Sequence, residues 1–423
     1  MQIRSHGASL LVLVAMLPAA GLAAAAAAAT PAQAGSASSR PASLGLTVAP
    51  GGVLLHEGRA FRGVGVNYFD AFARTLNDGN DTSYDAGFAA LARRKIPFAR
   101  FMCCGYWPAE NRLYLRDKAE YFRRLDGVVK SAERHGIGLI PSMFWQTAGV
   151  PDLMGEPCDQ WGQPTSKTCE FLRAYTREVV TRYRSSPAIW GWQFGNEYNL
   201  AADLPNASEH RPPVVPKLGT PAERSARDDL TSDAVRVAFA EFARQVRRID
   251  GERIITTGDA LPRRSAWHQR KERSWTADTA EQFAEVLLGD HADPVSVIGV
   301  HVYELADRPR LAAAAEAARK AGKPLFVGEF GVPGPPTDKS RREFADLLAA
   351  VEQSGAPLAA LWVYDFAGQK EQWSVTPDNE RAWQLDAIAE ANGRMGGGHG
   401  AAGGTGTAGS ATRAAPVPTT RPE

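Results

Sequence analysis

Eight short apolar runs recur along the chain, each followed by a stretch with helical periodicity, and this alternation limits the fold more than any other feature. The runs are Gly63–Asn67, Phe98–Phe101, Gly138–Phe144, Ile189–Phe194, Ile254–Gly258, Val297–His301, Leu325–Glu329 and Leu358–Tyr364. Amphipathic segments follow them in turn at Tyr84–Arg94, Ala119–His135, Phe171–Tyr183, Ser232–Asp250, Thr279–Leu288, Leu311–Ala321, Arg341–Ser354 and Arg381–Ala391. Ser232 reads as an N-cap, and Gly136, Gly251 and Gly322 as helix stops. Strands buried on both faces read as near-continuous apolar runs, and parallel neighbours need a crossover of a dozen or more residues. Eight βα units are the count of a (β/α)8 barrel, a TIM barrel in the α/β class, with strand eight closing on strand one. An open doubly wound sheet is the alternative. It commonly carries a Gly-x-Gly-x-x-Gly turn after a strand, and none occurs here.

The two ends do not share this pattern. Residues 1–34 read as a secretory signal: Arg4 and His6 lead, an apolar run extends from Leu10 to Ala29, and Ala32-Gln33-Ala34 forms a small-residue cleavage site. A membrane span competes, but the run is alanine-rich and ends at that cleavage site. The expected location is therefore secreted or periplasmic, with no membrane association after cleavage. Residues 395–423 are dominated by Gly, Ala, Thr, Ser and Pro, which cannot bury enough apolar surface to order themselves. Residues 45–394 remain as a single barrel-sized catalytic domain. The net charge of +1 gives no bulk attraction to nucleic acid or anionic lipid, and nothing demands more than a monomer.

Of the four cysteines, Cys158 and Cys169 are spaced to close a short loop, so a disulfide between them is expected in an oxidising compartment. The adjacent Cys103 and Cys104 are open to two readings, buried thiols or a vicinal bridge. No Cys-x-x-Cys or His-Glu-x-x-His spacing appears, so neither a metal nor another cofactor is expected.

Two of the strands stop at a glutamate. Gly191-Trp192-Gln193-Phe194-Gly195-Asn196-Glu197 ends the fourth, and Leu325-Phe326-Val327-Gly328-Glu329 the seventh. A carboxylate at the end of a buried strand is costly unless it faces a cleft. On a closed barrel all strand ends of one polarity share a rim, where such sites lie. The same rim would hold Arg100 from strand two, His301 and Tyr303 from strand six, and Trp362 from strand eight. Long loops at Gln146–Glu170, Tyr198–Thr231 and Asp259–Asp278 would wall the cleft. Trp107, Trp145, Trp161, Trp267 and Trp275 lie in rim loops, as sugar platforms or as loop anchors, whereas Trp190 and Trp192 inside strand four read as packing. Paired carboxylates suit glycoside cleavage, in which one protonates the departing oxygen and the other attacks the anomeric carbon.

The chain resembles the retaining β-glycosidases of clan A, and among them glycoside hydrolase family 5, over essentially the whole barrel. The resemblance implies that Asn196-Glu197 carries the acid/base and that Glu329 is the nucleophile. It also implies substrate-binding roles for Arg100, Asn196, His301, Tyr303 and Trp362. Trp145 is added as a platform from its place in a rim loop. Many members carry a histidine at the end of strand three, where this chain has Ser142-Met143-Phe144-Trp145. The substrate therefore stays open between β-mannan and β-glucan polysaccharides or oligosaccharides, in an endo-mannanase-like or endo-glucanase-like enzyme. Arg100 and Tyr303 would stabilise the Glu329 anion, and burial together with repulsion from Glu329 would raise the pKa of Glu197. A carboxyl separation of about 5–5.5 Å is expected, as in retaining enzymes, against about 6.5–9.5 Å for inversion. The competing functions are a carbohydrate-binding barrel without turnover and a transglycosylase.

Overall fold

The computed structural model describes residues 44–397. The signal expected at 1–34 and positions 398–423 of the expected tail lie outside the described residues. The first three residues of that tail, 395–397, continue the last helix.

All eight expected strands are present: β1 (Gly63–Asn67), β2 (Phe98–Met102), β3 (Gly138–Phe144), β4 (Gly191–Gly195), β5 (Ile254–Thr256), β6 (Ile298–Val302), β7 (Leu325–Phe330) and β8 (Leu358–Leu361). They form one parallel sheet in the order β5-β4-β3-β2-β1-β8-β7-β6. Strand β8 closes on β1 in continuous register from Leu358↔Gly63 to Leu361↔Val66. The remaining seam, between β5 and β6, is joined through the amides of Ser296 and Val297, both donating to the Ile255 carbonyl at 3.0 Å. The Ser296 hydroxyl accepts from the Ile255 amide at 2.9 Å. The result is a nearly closed (β/α)8 barrel, and the open-sheet alternative falls away.

The outer layer consists of α1 (Tyr84–Arg93), α2 (Lys118–His135), α3 (Lys167–Tyr183), α4 (Ser232–Arg247), α5 (Ala280–Asp290), α6 (Arg308–Lys320), α7 (Asp338–Gln353) and α8 (Trp383–Gly397). Five of their N-termini are capped by a side chain. Asp117, Ser166, Thr231, Thr279 and Thr337 each accept a first-turn amide, an interaction worth about 1 kcal/mol per cap. The cap of α4 is Thr231, one residue before the expected Ser232, because Thr231 is the residue with extended backbone and its hydroxyl meets the Ala234 amide. Gly136 ends α2 in the left-handed region as expected, whereas α4 stops at Arg248, ahead of Gly251.

A three-stranded antiparallel meander, Leu46–Ala49, Val53–His56 and Arg59–Ala60, precedes the barrel. Its Leu46 and Leu54 pack with Phe98, Trp190, Ile254, Phe326 and Leu358, residues at or near the strand starts, and so plug the amino-terminal mouth. Trp190 is therefore packing, as expected. Trp192 is also packing: it is fully buried and donates to Asp250 at 2.8 Å. Filling one mouth leaves the other as the place where polar groups can face solvent.

The disulfide expected between Cys158 and Cys169 does not form; both thiols are free and buried, as are Cys103 and Cys104. Cys158 opens a short helical turn and its thiol lies against Asp228, where burial pushes its pKa up. Cys169 sits in the first turn of α3 with Sγ directed at the carbonyls of Gln160 and Trp161, 3.6 and 3.5 Å away. Each sulfur thus has its own polar neighbours. Among the described residues, no helix is long and apolar enough to cross a membrane.

Gly258, just past β5, has φ +84°, and a β-carbon there would lie 2.1 Å from the Gly195 carbonyl oxygen. Its own carbonyl accepts the Glu197 amide at 2.9 Å. Gly258→Ala should therefore lower stability by at least about 2 kcal/mol in chemical denaturation, since the left-handed backbone and the contact are both unfavourable.

Candidate active site

The carboxyl-terminal rim is organised around Arg100, a guanidinium with no solvent exposure at the centre of β2. Its Nη1 donates to Glu329 Oε1 at 2.6 Å and to Asn67 Oδ1 at 2.8 Å. Nη2 donates to Asn196 Oδ1 at 2.6 Å and to the Gly195 carbonyl at 3.4 Å, while Nε donates to Gln193 Oε1 at 2.5 Å. The ring of Trp145 covers the guanidinium, 4.5 Å from its carbon. Every donor of Arg100 is thus committed to protein, so it supports the carboxylate from beneath and does not meet substrate directly.

Glu329 is nearly buried and held from both sides. Its second oxygen accepts from the Tyr303 phenol at 2.5 Å and lies 3.5 Å from His301 Nδ1. Burial first, and then the Glu329 charge, push the Tyr303 pKa well above its ordinary value, so the phenol remains a donor. The register between β7 and β6 shifts between Val327 and Glu329. Gly328 lies at that shift, and a β-carbon there would meet His301 Nε2 at 2.9 Å, so the small residue lets the imidazole lie against the strand.

Glu197 stands two residues past β4 in the left-handed region, φ 53°, and leads the single helical turn Tyr198–Ala201. His301 Nδ1 lies 2.8 Å from its Oε1. One carboxylate oxygen of Glu197, one of Glu329 and a ring nitrogen of His301 all fall within 4.8 Å of one another. Those donors are close enough to share a cation, although Arg100 already supplies a positive charge 2.6 Å from Glu329.

The expected rise in the Glu197 pKa is not observed. Burial does push it up, but the His301 hydrogen bond and the charges of His301 and Arg100 outweigh burial and bring the value below that of an ordinary glutamate. The Glu197 side chain keeps 30 % exposure, which tempers the burial effect. A sugar filling the cleft would remove that water and add to the opposing effect.

The remaining residues line a cleft of about 800 Å³ that holds Glu197, Glu329, Tyr303, Trp362 and Trp145. Trp362 is half-buried, its indole N–H bonded to Gln369 Oε1 at 2.8 Å, and it stacks on Trp145 with ring centroids 6.2 Å apart and planes 25° apart. Trp107 also lines the cleft, whereas Trp161 is fully buried and anchors its loop by donating to the Thr147 carbonyl. Trp267 donates to Glu285, and Trp275 is exposed. Asn196 gives its oxygen to Arg100, which leaves its NH₂ group without a protein acceptor among the described residues. Sequence reasoning missed Asn67, Gln193 and Trp373. The first two orient Arg100, and the third packs edge-on to Tyr303 with centroids 5.3 Å apart. Asn67, a polar residue ending an apolar strand, was the available signal.

The sequence profile of Cellulase (glycosyl hydrolase family 5) matches residues 58–367, well over half of the chain. The chain belongs to glycosyl hydrolase family 5. Within the family it is similar to the probable mannan endo-1,4-β-mannosidase F of Neosartorya fischeri, with 34 % identity over 96 residues. That match covers 21 % of this chain and 21 % of the relative, about a fifth of the relative's length. In fold it is similar to the endo-1,4-β-mannanase of Rhizomucor miehei, with TM-score 0.60 and 16 % identity over 83 % of this chain and 99 % of that one. It is also similar to the exo-β-1,4-mannosidase Op5Man5 of Opitutaceae bacterium strain TAV5, with TM-score 0.57 and 16 % identity over 82 % and 62 %.

Glu197 in this family 5 chain owes its low pKa to identifiable neighbours. Removing the His301 contact in His301→Gln should let Glu197 titrate at higher pH than in the wild type, as read from its carboxyl carbon by NMR. A folded-state pKa below the unfolded one contributes stability that is present above the unfolded value and lost as pH falls through the folded one. The variant should therefore show a shallower loss of stability on acidification across that interval.

Proposed function

We propose that the protein is an exported retaining β-glycoside hydrolase acting on β-linked mannan, with Glu197 as acid/base and Glu329 as nucleophile. The observation that carries this reading is the pair of carboxylates, with oxygens within 4.8 Å, in unlike surroundings. An approach of single oxygens this close supports the shorter carboxyl separation of retaining enzymes, about 5–5.5 Å, over the about 6.5–9.5 Å that admits an inverting water. Mannan is favoured over glucan by the names of the relatives, and export by the leader pattern of residues 1–34.

In the first step Glu329, oriented by Arg100 and Tyr303, attacks the anomeric carbon while Glu197 gives its proton to the departing oxygen. Glu197 has then lost its proton, and it takes one from water as that water hydrolyses the glycosyl ester and frees Glu329. His301 holds the Glu197 carboxylate in place between these roles. The NH₂ group of Asn196 is available to the sugar 2-hydroxyl, and Trp362 offers a flat apolar face to the ring.

Glu329→Gln should abolish release of reducing sugar from mannan. Glu197→Gln should lose about 10²–10⁴-fold on mannan and much less on aryl β-mannosides whose leaving groups need no proton. NMR of the first product should show the β-anomer. Wild-type turnover in either variant on mannan, or α-anomer formed first, would refute the mechanism. Binding of mannan by the wild type without release of sugar would instead support a binding barrel.

A further inference from the structure

Two cavities meet at Glu197. The larger, about 800 Å³, also contains Glu329, Tyr303 and Trp362. The smaller, about 270 Å³, shares Tyr106, Trp145, Asn196 and Glu197 with it but touches neither Glu329 nor Trp362. We infer that the smaller cavity receives the leaving group and is short, so that an oligosaccharide is cleaved with most of its sugars on the nucleophile's side and only one or two beyond Glu197. This inference rests on the roles proposed above for the two glutamates.

The assignment of sides follows from the chemistry. The sugar under attack lies over the nucleophile, and the acid stands at the oxygen that departs from its anomeric carbon. The departing group therefore moves into the space that Glu197 borders and Glu329 does not. The two spaces differ in capacity: about 270 Å³ is below the range of about 300–1,000 Å³ for pockets that hold a drug-sized ligand, and about 800 Å³ is well inside it. They also differ in surface. The nucleophile's side carries Trp362, Trp373 and Trp107 for stacking, whereas the leaving-group side is bordered by Gln146, Thr147, His210, Pro212 and Pro213. Binding free energy is thus concentrated on the nucleophile's side.

The far wall belongs to the long segment between β4 and α4, and it is fixed in place. Arg224, only 5 % exposed, forms a two-pronged ion pair with Asp152 of the β3–α3 loop at 2.6 and 2.7 Å. The same guanidinium donates to the carbonyls of Pro212 and Pro213, each at 3.2 Å. Arg211 is paired through two bonds with Asp229 at 2.6 and 3.1 Å. For the wall to move aside for a longer leaving group, the Arg224 contacts with Pro212 and Pro213, or its pair with Asp152, would have to open.

The test is the bond chosen in a linear hexaose labelled with ¹⁸O at the reducing-end C1, read by mass spectrometry early in the reaction. Mannohexaose is the first probe, with cellohexaose as the second if only that is hydrolysed. The label is expected chiefly in mono- and disaccharide. Label chiefly in tri- or longer saccharides overturns the inference while leaving the hydrolase reading intact, and failure to cleave either hexaose removes both. In Arg224→Ala the label should move toward longer fragments, with turnover of an aryl β-mannoside reporting that the carboxylates remain competent. An unchanged label distribution in a folded variant overturns the role of the wall, and if the variant does not fold the wild-type label map decides by itself.

Discussion

A buried positive charge that must find five acceptors is the constraint on which the rest of the site depends. Removing Arg100 from water has a large desolvation cost, offset only if the ion pair with Glu329 is well formed and every remaining N–H is bonded. The acceptors come from three places that are remote in sequence: Asn67 on β1, Gln193, Gly195 and Asn196 on or just past β4, and Glu329 on β7. These groups converge only when β1 has met β8 and the barrel has closed. The same closure that completes the fold thereby assembles the charged centre, and Trp145 shields it from solvent.

From that centre the two glutamates acquire unlike characters. Glu329 is enclosed between a cation and a phenol that stays protonated, so both of its oxygens accept and its geometry is set. Glu197 sits outside that enclosure on a left-handed residue, partly exposed, with His301 as its hydrogen-bonding partner. On the proposed mechanism, one group is held for attack and the other is placed to exchange a proton with substrate and water. His301 links them, reaching Glu197 at 2.8 Å and Glu329 at 3.5 Å through the same nitrogen. In the proposed mechanism the 2.8 Å contact gives His301 the role of positioning Glu197.

The barrel was legible because its signal is repeated: eight buried runs and eight amphipathic partners leave little freedom, and each strand appears within a few residues of its expected limits. The carboxylates were legible because a charged residue at the end of an apolar run has few structural explanations. Asn67 and Gln193 were less visible. They are neutral, and their importance comes from the guanidinium between them, which no local pattern reveals. The disulfide failed as an expectation because spacing in sequence says nothing about the direction in which two thiols face. The Glu197 pKa failed for a related reason: burial was foreseen, but the near approach of His301 and Arg100 was not. At the end of β3, where a histidine is common in the family, this chain places Phe144 in the core and Trp145 over Arg100, a substitution whose consequence emerges only from the folded arrangement.

The two ends of the barrel divide the work. At the amino-terminal mouth, leucines from the meander and aromatic residues at the strand starts make an apolar plug. At the opposite rim, long segments are held by charged side chains that reach across loops, as Arg224 does to Asp152 and Arg74 to Asp70 and Asp365. Loops fixed through such pairs keep their shape without contributing apolar area to the core, so their sequence can change without loss of the barrel beneath. On the proposed reading, the scaffold would set where a glycosidic bond is broken, and the ion-paired loops how much of the substrate can lie on either side of it.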